Sequence, residues 1–295
     1  MDHYIKSREY IDHIIRTHLT DNLENPILKE ALTLLFKGGK RLRPIITYEI
    51  SKVVNKINNT SFNIDKLILI GELIHSASLI IDDLPCMDND ISRRGNPTIH
   101  YKYGETTAQI LNMYIFSMVH SLLQENLEAL RNDNLKEIEK REKIIYQTIS
   151  DNLGIFGAPL GQYLDNGDIS IFNGDKDNVK NTITSLLEKK TATFFEISFI
   201  IGYVSSGGNL DYLDDLKLCA RSFGIAFQIS DDFLDVEKDA SKYFCPNFVN
   251  HMGKEQSVLT YNTCMNVFSE KIQIIGINNN VFGEIITLLN SRVHI

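Results

Sequence analysis

Residues 227–235 read FQISDDFLD. Gln228, Asp231, Asp232 and Asp235 fall at i, i+3, i+4 and i+7, the spacing at which a 3.6-residue helix stacks side chains along one stripe. Here the stripe is polar and anionic, and Phe227, Ile229, Phe233, Leu234 and Val236 are left for packing. Residues 218–229, LCARSFGIAFQI, are apolar round most of a helical circumference, as are residues 193–206, TFFEISFIIGYVSS. Such helices belong in the middle of a bundle, with more amphipathic helices around them. An acidic stripe leading out of a central helix is not simply a solvated face, because like charges held near a core cost on the order of several kcal/mol unless cations neutralise them.

The helical period continues outward, for example at Leu28, Leu32, Leu35 and Phe36, and sustained period-two alternation is absent, so the spacing predicts an all-α fold. Six prolines leave room for helices of four or more turns. The polar stretches 58–63, 131–143, 172–178 and 276–280 read as inter-helix loops or solvated helix ends. With no internal repeat and no clear linker, residues 1–295 are expected to form a single domain, with a deep cavity between helices as the natural place for a ligand.

A second acidic stretch, residues 82–90, DDLPCMDND, stands directly behind the apolar Leu79-Ile80-Ile81. It lacks the central glycine and closing glutamate of an EF-hand. Pro85 breaks the helix by Leu84, so Asp82 and Asp83 end a helix and Asp88 returns on the following loop. Oxygen-only ligands select a hard ion, and Mg2+ commonly bridges a few carboxylates to substrate phosphates.

The net charge of −8 and pI near 5.5 disfavour nucleic acid as a partner. Cys86, Cys219, Cys245 and Cys264 form no CxxC pair and no zinc spacing, and read as reduced thiols of an intracellular protein. The N-terminus has no signal-type apolar region, and the longest apolar run, residues 67–81, is interrupted by Glu72 and His75, so no transmembrane segment is expected and the location is expected to be cytoplasmic. Basic residues lie beside the acidic stretches: Arg93-Arg94 in ISRRGNPT, residues 38–44 in GGKRLRP, and Lys189-Lys190-Thr191. Adjacent guanidiniums suit forked hydrogen bonding to diphosphate oxygens, although each cluster met alone reads more readily as solvated surface. His75 lies two turns before Asp82 on nearly the same face, either as a hydrogen-bonded core histidine or as a donor to a phosphate oxygen.

Taken in order over residues 38–236, GGKRLRP, H-x6-DDLPCMDND, RRGNPTIHYKYGE, GQYLD, KT and FQISDDFLDV resemble the trans-isoprenyl diphosphate synthase (polyprenyl synthetase) family, and the LPCMDND wording is most similar to its type II geranylgeranyl diphosphate synthases. The resemblance implies an isoprenoid-synthase fold of about 10–13 helices around the cavity. It implies a Mg2+ cluster, three ions with substrate bound, held by Asp82, Asp88, Asp231 and Asp235, with Asp83 and Asp232 in support. Arg93 would bind the allylic diphosphate. Lys40, Arg43, His75 and Arg94 would bind isopentenyl diphosphate, and Lys190, Thr191 and Gln228 would line the reaction centre. The implied reaction joins isopentenyl diphosphate to dimethylallyl, geranyl or farnesyl diphosphate through an allylic carbocation, in a homodimer.

Ala77 and Ser78 are small where fifteen-carbon relatives generally carry an aromatic residue, which suggests a product of twenty carbons or more. Three departures from the family pattern stand out: Met113 where an acidic residue is usual, Ile81 where histidine is common, and no recognisable glycine-lysine beyond Asp235. Lys242 is the candidate for the lysine that closes over the diphosphate. The alternatives are a farnesyl or longer-chain synthase, a non-catalytic subunit of a heteromeric synthase, and a hard-cation binding module that never handles diphosphate.

Overall fold

The computed structural model describes residues 1–20, 23–166, 176–240 and 247–293. Among them the apolar three- and four-residue spacing becomes fifteen α-helices, and the Cα positions group into two compact units. Three of the helices are single-turn pieces of five residues, so the twelve longer ones fall within the expected range.

The first unit comprises Asp2–Ile138 with Ser205–Gly207. It holds α1 (Asp2–Ile15), α2 (Pro26–Leu35), α3 (Leu42–Asn58), α4 (Asp65–Asp82), strands β1 (Ser92–Arg93) and β2 (Asn96–Pro97), α5 (Ile99–Tyr103) and α6 (Glu105–Asn132). Asn25 caps α2, its side chain accepting from the amides of Ile27 and Leu28 at 3.1 Å, with Pro26 placed where its missing N–H does no harm. From Leu67 to Leu84 the chain is buried on every side except at His75, Ser78, Leu79 and Ile81. The i, i+3, i+4 positions among these give α4 a single face that keeps access to solvent. Helix α6 packs along α4, and two asparagines tie them. Asn126 accepts from the Leu67 amide (3.2 Å) and donates to the Asn63 carbonyl (2.8 Å), while Asn112 donates to the Ala77 carbonyl (2.7 Å).

The second unit comprises Glu139–Val204 and Gly208–Ile295 with Met1. In it lie α7 (Ile138–Leu153) after its first residue, α8 (Ala158–Asn166), α9 (Lys176–Leu187), α10 (Thr193–Val204), α11 (Leu213–Leu234), α12 (Val236–Ala240), α13 (Phe248–Met252), α14 (Lys254–Ile275) and α15 (Asn280–Val293). Every residue of α10 is buried, as its all-round apolarity requires. Its Phe195 and Phe199 meet Phe223 of α11, and Phe268 of α14 and Phe282 of α15 complete an aromatic core with ring centroids 5.0–6.3 Å apart. A π-turn, Glu188–Ala192, links α9 to α10. It is seated between two glycines, since a Cβ on Gly161 of α8 or on Gly224 of α11 would collide with its backbone, at 2.5 Å from the Ala192 Cα in the second case.

The hairpin was not anticipated from the alternation pattern. Arg94 (φ 55°) and Gly95 (φ 73°) are the two central residues of a tight turn that pairs Arg93 with Asn96, a geometry set by glycine and too short to leave a period-two signature.

Candidate active site

Helix α4 ends at Asp82, as Pro85 demands, and Asp83 caps it by donating its amide to the Leu79 carbonyl. The chain then turns back so that the Asp88 amide donates to the Asp82 carbonyl at 2.9 Å. Asp82 and Asp83 are both buried and Asp88 is exposed. Arg93 in the hairpin donates Nε (2.7 Å) and Nη2 (2.6 Å) to Asp83 Oδ1. Burial pushes the Asp83 carboxyl above the usual range, with the Arg93 bond and charge pulling it back. Burial works against the Arg93 charge too, but its bond to Asp83 and the charges of Asp83, Asp82 and Asp90 outweigh it.

The turn after α2 uses three positive backbone φ angles, at Gly38 (78°), Gly39 (89°) and Arg41 (52°). Gly39 lies against the Arg94 guanidinium, where any side chain would intrude. Arg43, in the first turn of α3, is buried, and Lys40 is exposed. His75 is the point these basic residues share. Its pKa is held well below 6.5, first by burial and then by the positive charges of Arg43, Arg94, Arg93 and Arg41, so the imidazole is neutral at pH 7. Arg94 is itself lowered by burial and by Arg41 and Arg93, with Glu72 opposing. Four guanidiniums therefore surround one neutral imidazole on the helix that ends at Asp82.

Arg41 has a different task from its neighbours. It donates Nη1 to Glu72 (2.7 Å), Nε to Asp12 (2.9 Å) and Nη2 to the Phe36 carbonyl, and both Arg41 and Glu72 are buried. It anchors the turn that carries Lys40 and Arg43. One signal for this was present: Glu72 interrupts the apolar run 67–81, and a carboxylate in such a run needs a cation.

In the second unit, α11 carries Gln228, Asp231 and Asp232, and Asp235 caps it. The four do not act alike. Asp232 is buried, accepting from Gln228 Nε2 (2.8 Å) and from the Phe248 amide (2.8 Å), and burial pushes its carboxyl up to about 7 despite both bonds. Gln228 also accepts from Thr191 Oγ1 at 2.8 Å, so a hydrogen-bonded line runs from the π-turn through Gln228 to Asp232. Buried Asn247 extends it, donating to the Asp232 carbonyl (2.9 Å) and to Asp239 (3.1 Å). Lys190 Nζ pairs with Asp165, the aspartate of GQYLD. Asp231 and Asp235 are partly exposed, and Asp231 accepts from Arg292 Nη1 of α15 at 2.6 Å. Nothing in the sequence ties Arg292 to a residue 61 positions earlier. Lys242 lies outside the described residues.

Among the described residues no three His, Cys, Asp or Glu side chains gather into a closed metal cage. The donor set still suits magnesium, which takes one or two carboxylates together with substrate phosphate oxygens and retained waters. Asp82, Asp88, Asp231 and Asp235 are carboxylates of that kind, whereas Asp83 and Asp232 are committed to the chain's own donors. No described helix is long and apolar enough to cross a membrane.

The family model for polyprenyl synthetase matches residues 25–245. The chain is 33% identical to the farnesyl diphosphate synthase of Buchnera aphidicola over 74% of its own length and 73% of the relative's. It is 31% identical to the mitochondrial geranylgeranyl pyrophosphate synthase 6 of Arabidopsis thaliana over 70% of its length, but spans only 59% of that protein. Among solved structures, the geranyltransferase of Helicobacter pylori complexed with magnesium and isoprenyl diphosphate superposes with a TM-score of 0.74 at 28% identity, over 99% of this chain and 97% of that one.

Proposed function

Because the chain belongs to the polyprenyl synthetase family, we propose that it is a prenyltransferase joining isopentenyl diphosphate head-to-tail to an allylic diphosphate, with geranylgeranyl diphosphate as product. The observation that carries this reading is the convergence of Arg43, Arg93 and Arg94 on a neutral His75, next to the buried carboxylates that end α4. Diphosphate is bound by such donors, and it leaves only where its accumulating charge is absorbed.

On this reading Lys40, Arg43, His75 and Arg94 bind isopentenyl diphosphate, the guanidiniums by forked hydrogen bonds and the neutral imidazole through its one N–H. Arg93 binds the allylic diphosphate while keeping Asp83 in place. Asp82, Asp88, Asp231 and Asp235 would hold the magnesium ions, three with substrate present. When bound, magnesium supplies charge that stabilises the departing diphosphate. The allylic C–O bond breaks with its electron pair leaving on the diphosphate, the isopentenyl double bond forms the new C–C bond, and loss of a proton restores an allylic double bond. Lys190, Thr191 and Gln228 sit at the reaction centre, where the Thr191–Gln228 bond fixes the amide with its oxygen turned to the threonine. Bulk water has to be kept from the electron-poor carbon, which it would otherwise capture.

Ser78 supports the longer product, being small and on the accessible face of α4. Exposed Ile110, Met113 and Phe116 recur at three-residue intervals on α6, which supports an apolar contact with a second copy in a homodimer, and the cytoplasm is the location we assign.

The test is incubation of purified protein with isopentenyl diphosphate, each allylic primer and magnesium, followed by chromatography of the products. Twenty carbons support the proposal, and fifteen assign a farnesyl diphosphate synthase. Turnover only with an added partner subunit assigns a heteromeric enzyme. Tight cation binding without any turnover assigns a binding module. Asp82→Ala and Asp231→Ala are expected to lose at least a hundredfold in turnover, roughly the worth of one transition-state charge contact, with helix content unchanged. Wild-type rates at saturating magnesium would contradict the roles given to these aspartates.

A further inference from the structure

Arg292 is held in place from three directions. Helix α15 is fixed by Val281, Phe282, Ile285, Leu289 and Val293, all buried, and it packs on α11. Its Asn290 accepts from the hydroxyl of fully buried Tyr261 on α14 at 2.7 Å, and the Arg292 charge is felt by that same tyrosine. The Arg292 side chain is 9% exposed and places Nη1 2.6 Å from Asp231 Oδ1. This is a short, charge-assisted bond, buried on the arginine side and open on the aspartate side, where Asp231 is 28% exposed.

We infer that Arg292 is a resident counter-cation which occupies Asp231 before magnesium does, and that magnesium with diphosphate takes the carboxylate by displacing the guanidinium. Arg292 is thus a positioning residue that sets the magnesium demand of the site. The inference rests on the prenyltransferase reading, because it needs Asp231 as an ion holder. The physical reason is competition for one negative charge: a guanidinium 2.6 Å from Oδ1 repels a dication that approaches the same carboxylate. Until the ion arrives, a paired Asp231 spares α11 the repulsion of Asp231, Asp232 and Asp235 within one turn. Afterwards the released guanidinium has a fork of donors suited to phosphate oxygen.

The experiment compares wild type, Arg292→Gln and Arg292→Lys by calorimetric titration of metal-free protein with magnesium in the presence of inorganic pyrophosphate. Arg292→Gln is expected to reach half-saturation at about tenfold lower magnesium, equivalent to about 1.4 kcal/mol, while Arg292→Lys, which keeps the charge, stays near wild type. In an Asp231→Asn background the Arg292→Gln effect should vanish. A second readout on wild-type protein is the side-chain nitrogen resonance of Arg292, expected to shift when magnesium and pyrophosphate are added together. That measurement decides the matter should the glutamine variant not fold. Unchanged or weaker magnesium binding in Arg292→Gln, or a resonance that does not move, overturns the inference. Failure of the family reading looks different: the wild type would then show neither pyrophosphate-dependent magnesium binding nor prenyl transfer.

Discussion

Arg41 lies in the middle of GGKRLRP, between two residues assigned to substrate, yet its contacts predict that replacing it harms the fold before it harms binding. Arg41→Met removes a cation that Glu72 meets at 2.7 Å, with both side chains about 4% exposed. Taking away one partner of such a pair leaves a buried charge uncompensated, at a cost of about 3–5 kcal/mol. The Phe36 carbonyl loses a donor as well. At about 2 °C per kcal/mol for a chain of this size, the melting temperature should drop by roughly 6–10 °C. Asp12 is one-third exposed and is resolvated by water, so it adds little. The double variant Arg41→Met/Glu72→Leu removes both charges and fills the space with apolar atoms. It should recover more than half of the loss, leaving about 1–3 kcal/mol from the orphaned Phe36 carbonyl. Thermal and urea unfolding of the two singles and the double measure the coupling directly, and at least about 2 kcal/mol is expected against the roughly 0.3–0.5 kcal/mol scatter of independent sites. A double variant as unstable as the summed singles would refute the reasoning, as would an Arg41→Met protein of wild-type stability with a raised KM for isopentenyl diphosphate.

Four further outcomes follow. Ser78→Phe should shorten the product by at least one five-carbon unit, read by product chromatography, because Ser78 is on the accessible face of α4. Ala77→Phe should instead lose roughly 1–3 kcal/mol or more by overpacking, since Ala77 is fully buried with its carbonyl bonded to Asn112. His75 has a folded pKa depressed below 6.5, so as pH falls through that value the unfolded chain takes a proton the folded chain refuses. Stability should drop toward acid, and His75→Gln should flatten the decline in unfolding titrations between pH 7 and 5. Asp232 has the opposite sign: its folded pKa is raised from 3.8 to about 7, so the metal-free protein keeps a proton that the unfolded chain sheds and loses stability, roughly 4 kcal/mol in all, as pH climbs through that interval. Asp232→Asn, which a flip of the Gln228 amide accommodates, should remove that slope, and a wild-type slope in the variant would count against the assignment.

Much of the fold was legible because helical periodicity reports burial directly. The residues that made 193–206 look central are the ones that form the wholly buried α10, and Pro85 placed the end of α4 within two residues of where it falls. The hairpin was not legible, since a two-residue ladder carries no periodic signal and depends on the positive φ values of Arg94 and Gly95. Within the candidate site, local features could be read from the sequence and distant pairings could not. The neighbours Asp82, Asp83, Arg93 and Arg94 lie close along the chain, whereas Arg41 with Glu72, Lys190 with Asp165 and Asp231 with Arg292 bridge 25 to 61 residues. Spacing has no access to such pairs. Only Glu72 gave a hint, as a charge with no local reason to be there.

The two acidic motifs share a division of labour that their sequences conceal. Written as DD, each looks like a doubled charge aimed at one ligand, but adjacent helical residues point about 100° apart and cannot share a target. The chain resolves this in the same way twice. The second aspartate of each pair turns onto the protein's own donors: Asp83 onto Arg93, and Asp232 onto Gln228 and the Phe248 amide. Each thereby fastens a following segment to its helix end, the hairpin in one case and α13 in the other. The raised pKa of both follows from that role, because a carboxylate used as an internal fastener must be buried. Of the first aspartates, Asp231 is partly exposed and a guanidinium attends it, whereas Asp82 is buried like Asp83. On the proposed function, doubling the aspartate would supply one side chain for holding the site together and one for using it.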